Sequence, residues 1–339
     1  MSQSLPLSLV EIEAAAQRLD GIAVRTPVLT SRELDARVGA RVFLKAESLQ
    51  HIGAFKFRGA YNRLAQIPEQ QRDNGVVAFS SGNHAQGIAL AAQMLSIPAT
   101  IVMPTDAPRI KLRSTEKLGA TIQLYDRHNE SREDIAASLA AQSGAVLVPA
   151  FDDIDVIAGQ GTCGLELMHQ IADLGAVPEY LLSPVGGGGL LSGVSIAVHN
   201  LHPGVQIYGV EPDSFDDHLR SRQTGKRVRI DGNKPTMCDS LMATSPGEIT
   251  WSVTGELVTD FLTVTEEEVA HAISFAFRYL KLVVEPGGAV ALAALLNNKL
   301  PGKGVGKGEG KEESVAAILS GGNIDPELFC QCLTDHPSP

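Results

Sequence analysis

Four segments of this 339-residue chain combine residue types and spacings that could do chemistry. The first is the run Pro184-Val-Gly-Gly-Gly-Gly-Leu-Leu-Ser-Gly193, where an apolar stretch gives way to Gly186, Gly187, Gly188 and Gly189. Backbone N–H groups in such a turn converge on an anion, and the positive end of a following helix adds to the attraction. No register of the run gives G-x-G-x-x-G and no Walker lysine follows, so a single phosphate fits better than a dinucleotide or a triphosphate. A turn whose glycines only permit close helix–strand packing is the structural alternative. The second segment, His51-Ile-Gly-Ala-Phe-Lys56-Phe-Arg-Gly59, sets a lysine between two phenylalanines. Desolvation there would disfavour the ammonium and leave a nucleophilic amine able to form an imine with a carbonyl. The alternative is a surface lysine lying over aromatic rings. The third and fourth, Ser80-Ser-Gly-Asn-His84 and Leu319-Ser-Gly-Gly-Asn323, are short polar turns suited to a carboxylate or to plain helix capping.

These segments need elements to hold them. Gly75–Ser80, Ala99–Met103, Thr121–Tyr125, Ala145–Val148, Tyr180–Val185, Gln206–Val210 and Val315–Leu319 read as short buried strands, as does Arg41–Lys45. Between them the pattern predicts helices: from the capping box Ser8-Leu-Val-Glu11 to Leu19, after His84, over Ile110–Leu118 and Asn129–Gln142, from Ile157, from Leu190, and over Glu266–Lys281. Alternation of this kind gives parallel sheets covered on both faces, with ligands beyond the carboxyl ends of the strands. Three of the segments, Ser80–His84, Gly186–Gly189 and Ser320–Asn323, fall at such strand-to-helix turns. Lys303–Glu313, rich in glycine and charge, reads as an exposed loop.

Composition narrows the class. Apolar residues make up 44% of the chain, enough for a sizeable core, and the net charge of −11 argues against a nucleic-acid partner. No apolar run is long enough for a membrane span, and the N-terminus lacks a signal peptide's pattern. Cys163, Cys238, Cys330 and Cys332 form no disulfide framework, so a reduced, cytoplasmic setting is expected. Cys330-Gln-Cys332 reads as incidental thiols, and the histidines other than His84 show no ligand spacing.

Taken in order, GAFKFRGA, SSGNHAQG, FDDIDVIAGQGT, VGGGGLLSG, VEP and LSGGN resemble the tryptophan-synthase-β-like, fold type II family of pyridoxal-phosphate enzymes. The likeness is greatest to its serine/threonine dehydratase and serine racemase group and runs from about Arg25 to Asp325. It implies a two-domain α/β fold with mostly parallel sheets, a small domain over 75–150, a large one from 1–74 and 151–339, and the active site between them. It also implies pyridoxal 5′-phosphate held by Lys56 through an imine. Phe55 would pack on the cofactor ring, Gly186–Gly189 would take its phosphate, Asn83 its 3′-oxygen and Ser320 its ring nitrogen. The substrate carboxylate would lie on Ser80, Ser81, Gly82, Asn83 and His84, with Arg132 in support. Lys56 and Ser81 would be the acid/base pair. Glu211, Asp217 and the Phe215 carbonyl would hold Mg²⁺ or Ca²⁺, a set of hard oxygen ligands. A small amino acid would be the substrate and a homodimer the assembly.

The expected reaction is β-elimination from L-serine or L-threonine to a 2-keto acid and ammonia. Serine or aspartate racemisation and 3-hydroxyaspartate ammonia-lyase activity are the alternatives. A neutral hydroxyl at Ser320 favours prompt loss of a β-substituent, and Phe151 stands where the animal racemases carry a polar residue. Met237-Cys-Asp-Ser240 departs from the group's usual Ile-Ala-Asp-Gly, which alters the pocket wall. Little chain follows Asp325, so no isoleucine-responsive regulatory module is expected.

Overall fold

The computed structural model describes residues 5–107, 109–301 and 313–336. The segment Lys303–Glu313, read as a loop, falls almost wholly outside them. Ten strands form two sheets. β1 (Val28–Leu29), β2 (Arg41–Ala46), β7 (Tyr180–Pro184), β8 (Gln206–Pro212), β9 (Asp260–Val264) and β10 (Ser314–Leu319) build the larger, in the order β1-β2-β10-β7-β8-β9. β3 (Val76–Phe79), β4 (Ala99–Pro104), β5 (Thr121–Tyr125) and β6 (Val146–Leu147) build the smaller, in the order β5-β4-β3-β6. Every pairing is parallel except β1 with β2. The parallel sheets expected from the alternation, and the two-domain α/β fold that the resemblance implies, are therefore present. β7 and β10 are buried along their whole length, as strands covered on both faces must be. No helix among the described residues is long and apolar enough to cross a membrane.

Element ends differ from the sequence reading where side chains intervene. The helix expected from Asn129 begins at Arg132, because Ser131 caps it by accepting from Asp134 N while Asp126 holds His128 and Asn129 in a turn. The helix from Glu266 ends at Phe275 and passes into a π turn, Ala276–Leu280, closed by Lys281 at φ 58°. The edge strand β9 and the two-residue β1 were not read from the sequence.

A buried charge network anchors the helix Lys56–Ala65. Arg58, fully buried, pairs with Glu47 through Nε (2.8 Å) and with Glu166 through Nη1 (2.8 Å), while Lys45 Nζ reaches the other Glu166 oxygen at 2.8 Å. These pairs tie that helix to β2, to the following 3₁₀ turn Glu47–Leu49 and to the helix Ile154–Asp173. Buried charges persist only when paired and hydrogen-bonded. The arginine two residues beyond Lys56 is therefore a structural anchor for it.

Candidate active site

Lys56 opens its helix at the seam between the two sheets. The preceding segment is laid along the chain that leaves β10: Phe55 N donates to Ser320 O (3.1 Å), Ala54 bridges Gly321, and Gly322 N donates to Gly53 O (2.9 Å). Lys56 Nζ donates to Ala150 O at 2.8 Å and lies 5.1 Å from the Phe55 ring centroid. Burial pushes its amine down to about 8, against the opposing pull of the Glu285 carboxylate. A sizeable share of the amine is thus neutral near physiological pH, as imine chemistry requires.

The residue after Ala150 meets the glycine run. A Cβ placed on Gly187 would clash with the Phe151 ring carbons, and one on Gly189 would lie 3.1 Å from the Phe151 backbone. Gly188 adopts φ +97°, a region other residues rarely enter, and caps the helix Gly189–Leu201. The run therefore presents bare backbone at a helix N-terminus, which meets the geometric demand of a phosphate.

β3 delivers the serine-rich turn. Ser80 Oγ accepts from Gly82 N at 3.2 Å, and the helix Asn83–Leu95 follows. Asn83 donates its amide to Glu285 Oε1 at 2.7 Å and accepts from Asn323 Nδ2 at 2.8 Å. Asn323 also donates to Ile52 O, so the turns after β3 and β10 are locked to the lysine segment. His84 is buried, and its Nε2 faces Val148 O at 3.1 Å, which assigns the proton to Nε2 because a carbonyl can only accept. Burial, then the Lys56 charge, pushes its imidazole down to about 3, so it is neutral. Ser320 is buried at the end of β10.

The sequence reading missed Glu285. It is buried before Pro286 at the start of the helix Pro286–Leu296, and burial with the nearby Asp239 charge pushes its carboxyl up to about 8. A lone acid within the apolar stretch Leu282–Ala294, in a position where Glu is a poor cap, was the available signal. A second missed pair is Lys111 with Asp239, which joins the helix Arg109–Lys117 beside the small sheet to the 3₁₀ turn Asp239–Leu241 beside the large one. Lys111 also acts on Glu285, opposing the rise in its pKa.

Two expected groups stand apart. Arg132 is half-exposed, pairs with the adjacent Glu133 at 2.9 Å, and lies over the ring of Phe79, one residue before Ser80. Glu211, Phe215 and Asp217 lie behind the glycine run. Glu211 accepts from His218 N (2.8 Å) and Leu219 N (2.9 Å), and the His218 ring sits where a Cβ on Gly188 would come within 3.1 Å. Both Asp217 oxygens are buried without a hydrogen-bond partner among the described residues. Burial raises both carboxyls, and for Glu211 the Asp217 charge adds to it.

The family model described as pyridoxal-phosphate dependent enzyme matches residues 19–321. The chain belongs to that family, in its threonine/serine dehydratase and racemase branch. It is 48% identical over 323 residues to an L-threo-3-hydroxyaspartate ammonia-lyase from Pseudomonas sp, covering 95% of this chain and 97% of that one. It is 40% identical to a serine racemase from Schizosaccharomyces pombe, covering 98% and 100%. The solved maize serine racemase superposes with a TM-score of 0.87 at 36% identity, covering 97% of each chain. This chain is accordingly a pyridoxal-phosphate enzyme that works on a small amino acid by lyase or racemase chemistry. The residues present fit the cofactor, because the glycine run leaves no room for side chains where backbone must approach a phosphate and Lys56 offers an amine that sheds its proton readily.

Proposed function

We propose that this protein is an ammonia-lyase that removes the β-hydroxyl and amino groups of an L-β-hydroxy amino acid, releasing a 2-keto acid and ammonia. The observation that carries the reading is the Lys56 amine, held near 8 beside the glycine run and close to a neutral His84. When bound, pyridoxal phosphate supplies an aldehyde that condenses with amines and a ring that accepts the electron pair left at Cα. The protein's own part is then positional and acid–base. Backbone N–H groups of the Ser80–His84 turn and the N-terminus of the helix Asn83–Leu95 hold the α-carboxylate. Lys56 Nζ takes the Cα proton, for which its lowered pKa suits it. Asn83, clamped by Glu285 and Asn323, holds its amide fixed in the cleft. Among the described residues Ser81 has no hydrogen-bonded base to help it return a proton to Cα, which supports elimination over racemisation.

Within this class we favour 3-hydroxyaspartate over serine and threonine. A second substrate carboxylate needs a cation, and Lys111 is tethered beside the cleft by Asp239, which a dianionic substrate could replace. The 48% relative carrying that activity supports the same choice. We assign residues 75–150 to the smaller domain, on which Lys111 rides. Glu211, Asp217 and the Phe215 carbonyl are our assignment for a Mg²⁺ or Ca²⁺ site, since two buried carboxylates, one with no donor among the described residues, call for a cation.

The test is a panel of L-serine, L-threonine and the 3-hydroxyaspartate isomers, assayed together for keto acid, ammonia and enantiomer. Equal amounts of keto acid and ammonia are expected, with the highest kcat/KM for a 3-hydroxyaspartate. Formation of the enantiomer without keto acid overturns the lyase reading. Equal turnover of serine and hydroxyaspartate by a Lys111→Ala variant and the wild type overturns the substrate choice.

A further inference from the structure

A second constellation lies on the helix Glu266–Phe275, away from the residues assigned above. Three glutamates fill its first turn. Glu266 is engaged by Thr236 Oγ1 (2.6 Å) and Met237 N (2.8 Å). Glu268 completes the capping box with Thr265 and pairs with Lys299. Glu267 is exposed and makes no ion pair among the described residues. Four residues on, at the spacing that shares a helix face, stands His271. His336, which ends the helix Pro326–Asp335, brings its ring edge-on to His271, with centroids 4.8 Å apart and planes at 88°. One ligand atom from each of the three lies within 4.8 Å of the other two. The sequence reading assigned these histidines no ligand spacing. That holds along the chain, but the fold brings residues 271 and 336 together.

Two imidazole nitrogens and one carboxylate oxygen are the donors of a three-ligand zinc site, with water in the fourth position. Mg²⁺ and Ca²⁺ prefer all-oxygen sets, so this site and the Glu211–Asp217 pair select different ions. Zinc ligands at ~2.0–2.2 Å from the metal stand about 3.4 Å apart in a tetrahedron. Side-chain rotation at a partly exposed surface closes the remaining gap. We infer that Glu267, His271 and His336 form a Zn²⁺ site that staples the C-terminal helix onto the helix Glu266–Phe275. The π turn Ala276–Leu280 that continues the latter is already joined to the C-terminal helix by the Arg278 guanidinium, which donates to Leu333 O, and by the edge-to-face rings of Phe277 and Phe329. A bound ion adds a coordinate link at the far end of that contact.

The experiment is zinc titration of the holoenzyme by calorimetry with Mg²⁺ present throughout, in the wild type and in His271→Ala, His336→Ala and Glu267→Gln. Co²⁺ replaces zinc in a parallel absorption measurement. The wild type should bind one equivalent that each histidine variant binds at least about tenfold more weakly. Zinc should raise Tm by a few degrees in the wild type and leave His336→Ala unmoved. His336 follows the last helix, so its variant should fold as the wild type does, with an unchanged circular dichroism spectrum. Co²⁺ should give weak visible bands without thiolate charge transfer. Equal zinc affinity in His336→Ala and the wild type overturns the site. So does a thiolate band, which would place the ion on Cys330 or Cys332.

Discussion

Replacing Gly187 by alanine tests the cradle directly. Its new methyl would press onto the Phe151 ring carbons, deep within the ~3.5–4 Å at which carbons touch. Either the ring or the glycine run must move. Overpacking of this kind costs about 1–3 kcal/mol. If the run moves, its N–H groups leave the phosphate, and about 1.4–2.8 kcal/mol of lost binding is a 10–100-fold weaker cofactor affinity. Gly186→Ala serves as the contrast, because its methyl would meet the Leu241 Cα at 3.2 Å, which a shift of a few tenths of an ångström relieves. The assay is titration of apoprotein with pyridoxal phosphate by visible absorption, with Tm measured alongside. Phe151→Ala in the Gly187→Ala background should recover cofactor affinity, giving a coupling of about 1 kcal/mol or more in a double-mutant cycle. Wild-type affinity and Tm in Gly187→Ala would refute the reasoning. Additive effects of the two substitutions would also refute it.

Lys56→Met should abolish the visible absorption of the bound cofactor. In the apoprotein it should also stabilise the fold at pH 7 by up to about 3 kcal/mol, since a lysine lowered from 10.5 to about 8 is largely charged there at a desolvation cost. Between pH 8 and 10.5 the unfolded chain holds a proton the folded one has shed, so wild-type stability rises with pH and the advantage of Lys56→Met shrinks; denaturant melts at several pH values measure it. Glu285→Gln keeps an acceptor for Asn83 and should fold normally, whereas Glu285→Ala strands a buried amide and should cost about 1–3 kcal/mol by the same melts. Arg58→Ala strips buried Glu47 of its ion pair, leaves Glu166 with Lys45 alone, and should lose about 3–5 kcal/mol. Chelation should lower Tm and Mg²⁺ add-back restore it, with Asp217→Asn insensitive to both.

Much of the fold was legible because its signals are local. Parallel strands buried on both faces read as short apolar runs, and Tyr180–Pro184 falls where the pattern placed a strand. Capping chemistry is equally local, as Ser8 with Glu11 shows. Lys56, Asn83, Gly186–Gly189 and Ser320 stood out because each sits in a turn whose composition suits few other purposes in combination. Arg58 beside Lys56 gave no sign of its burial, since its partners lie on other elements. The same holds for Glu285 with Asn83, for Lys111 with Asp239 and for His271 with His336. Residues close along the chain share a backbone geometry that their own types dictate, so the turns and elements belong to the sequence. Contacts such as Asn83 with Glu285, 202 positions apart, depend on the order in which the strands assemble, and only the tertiary structure decides them.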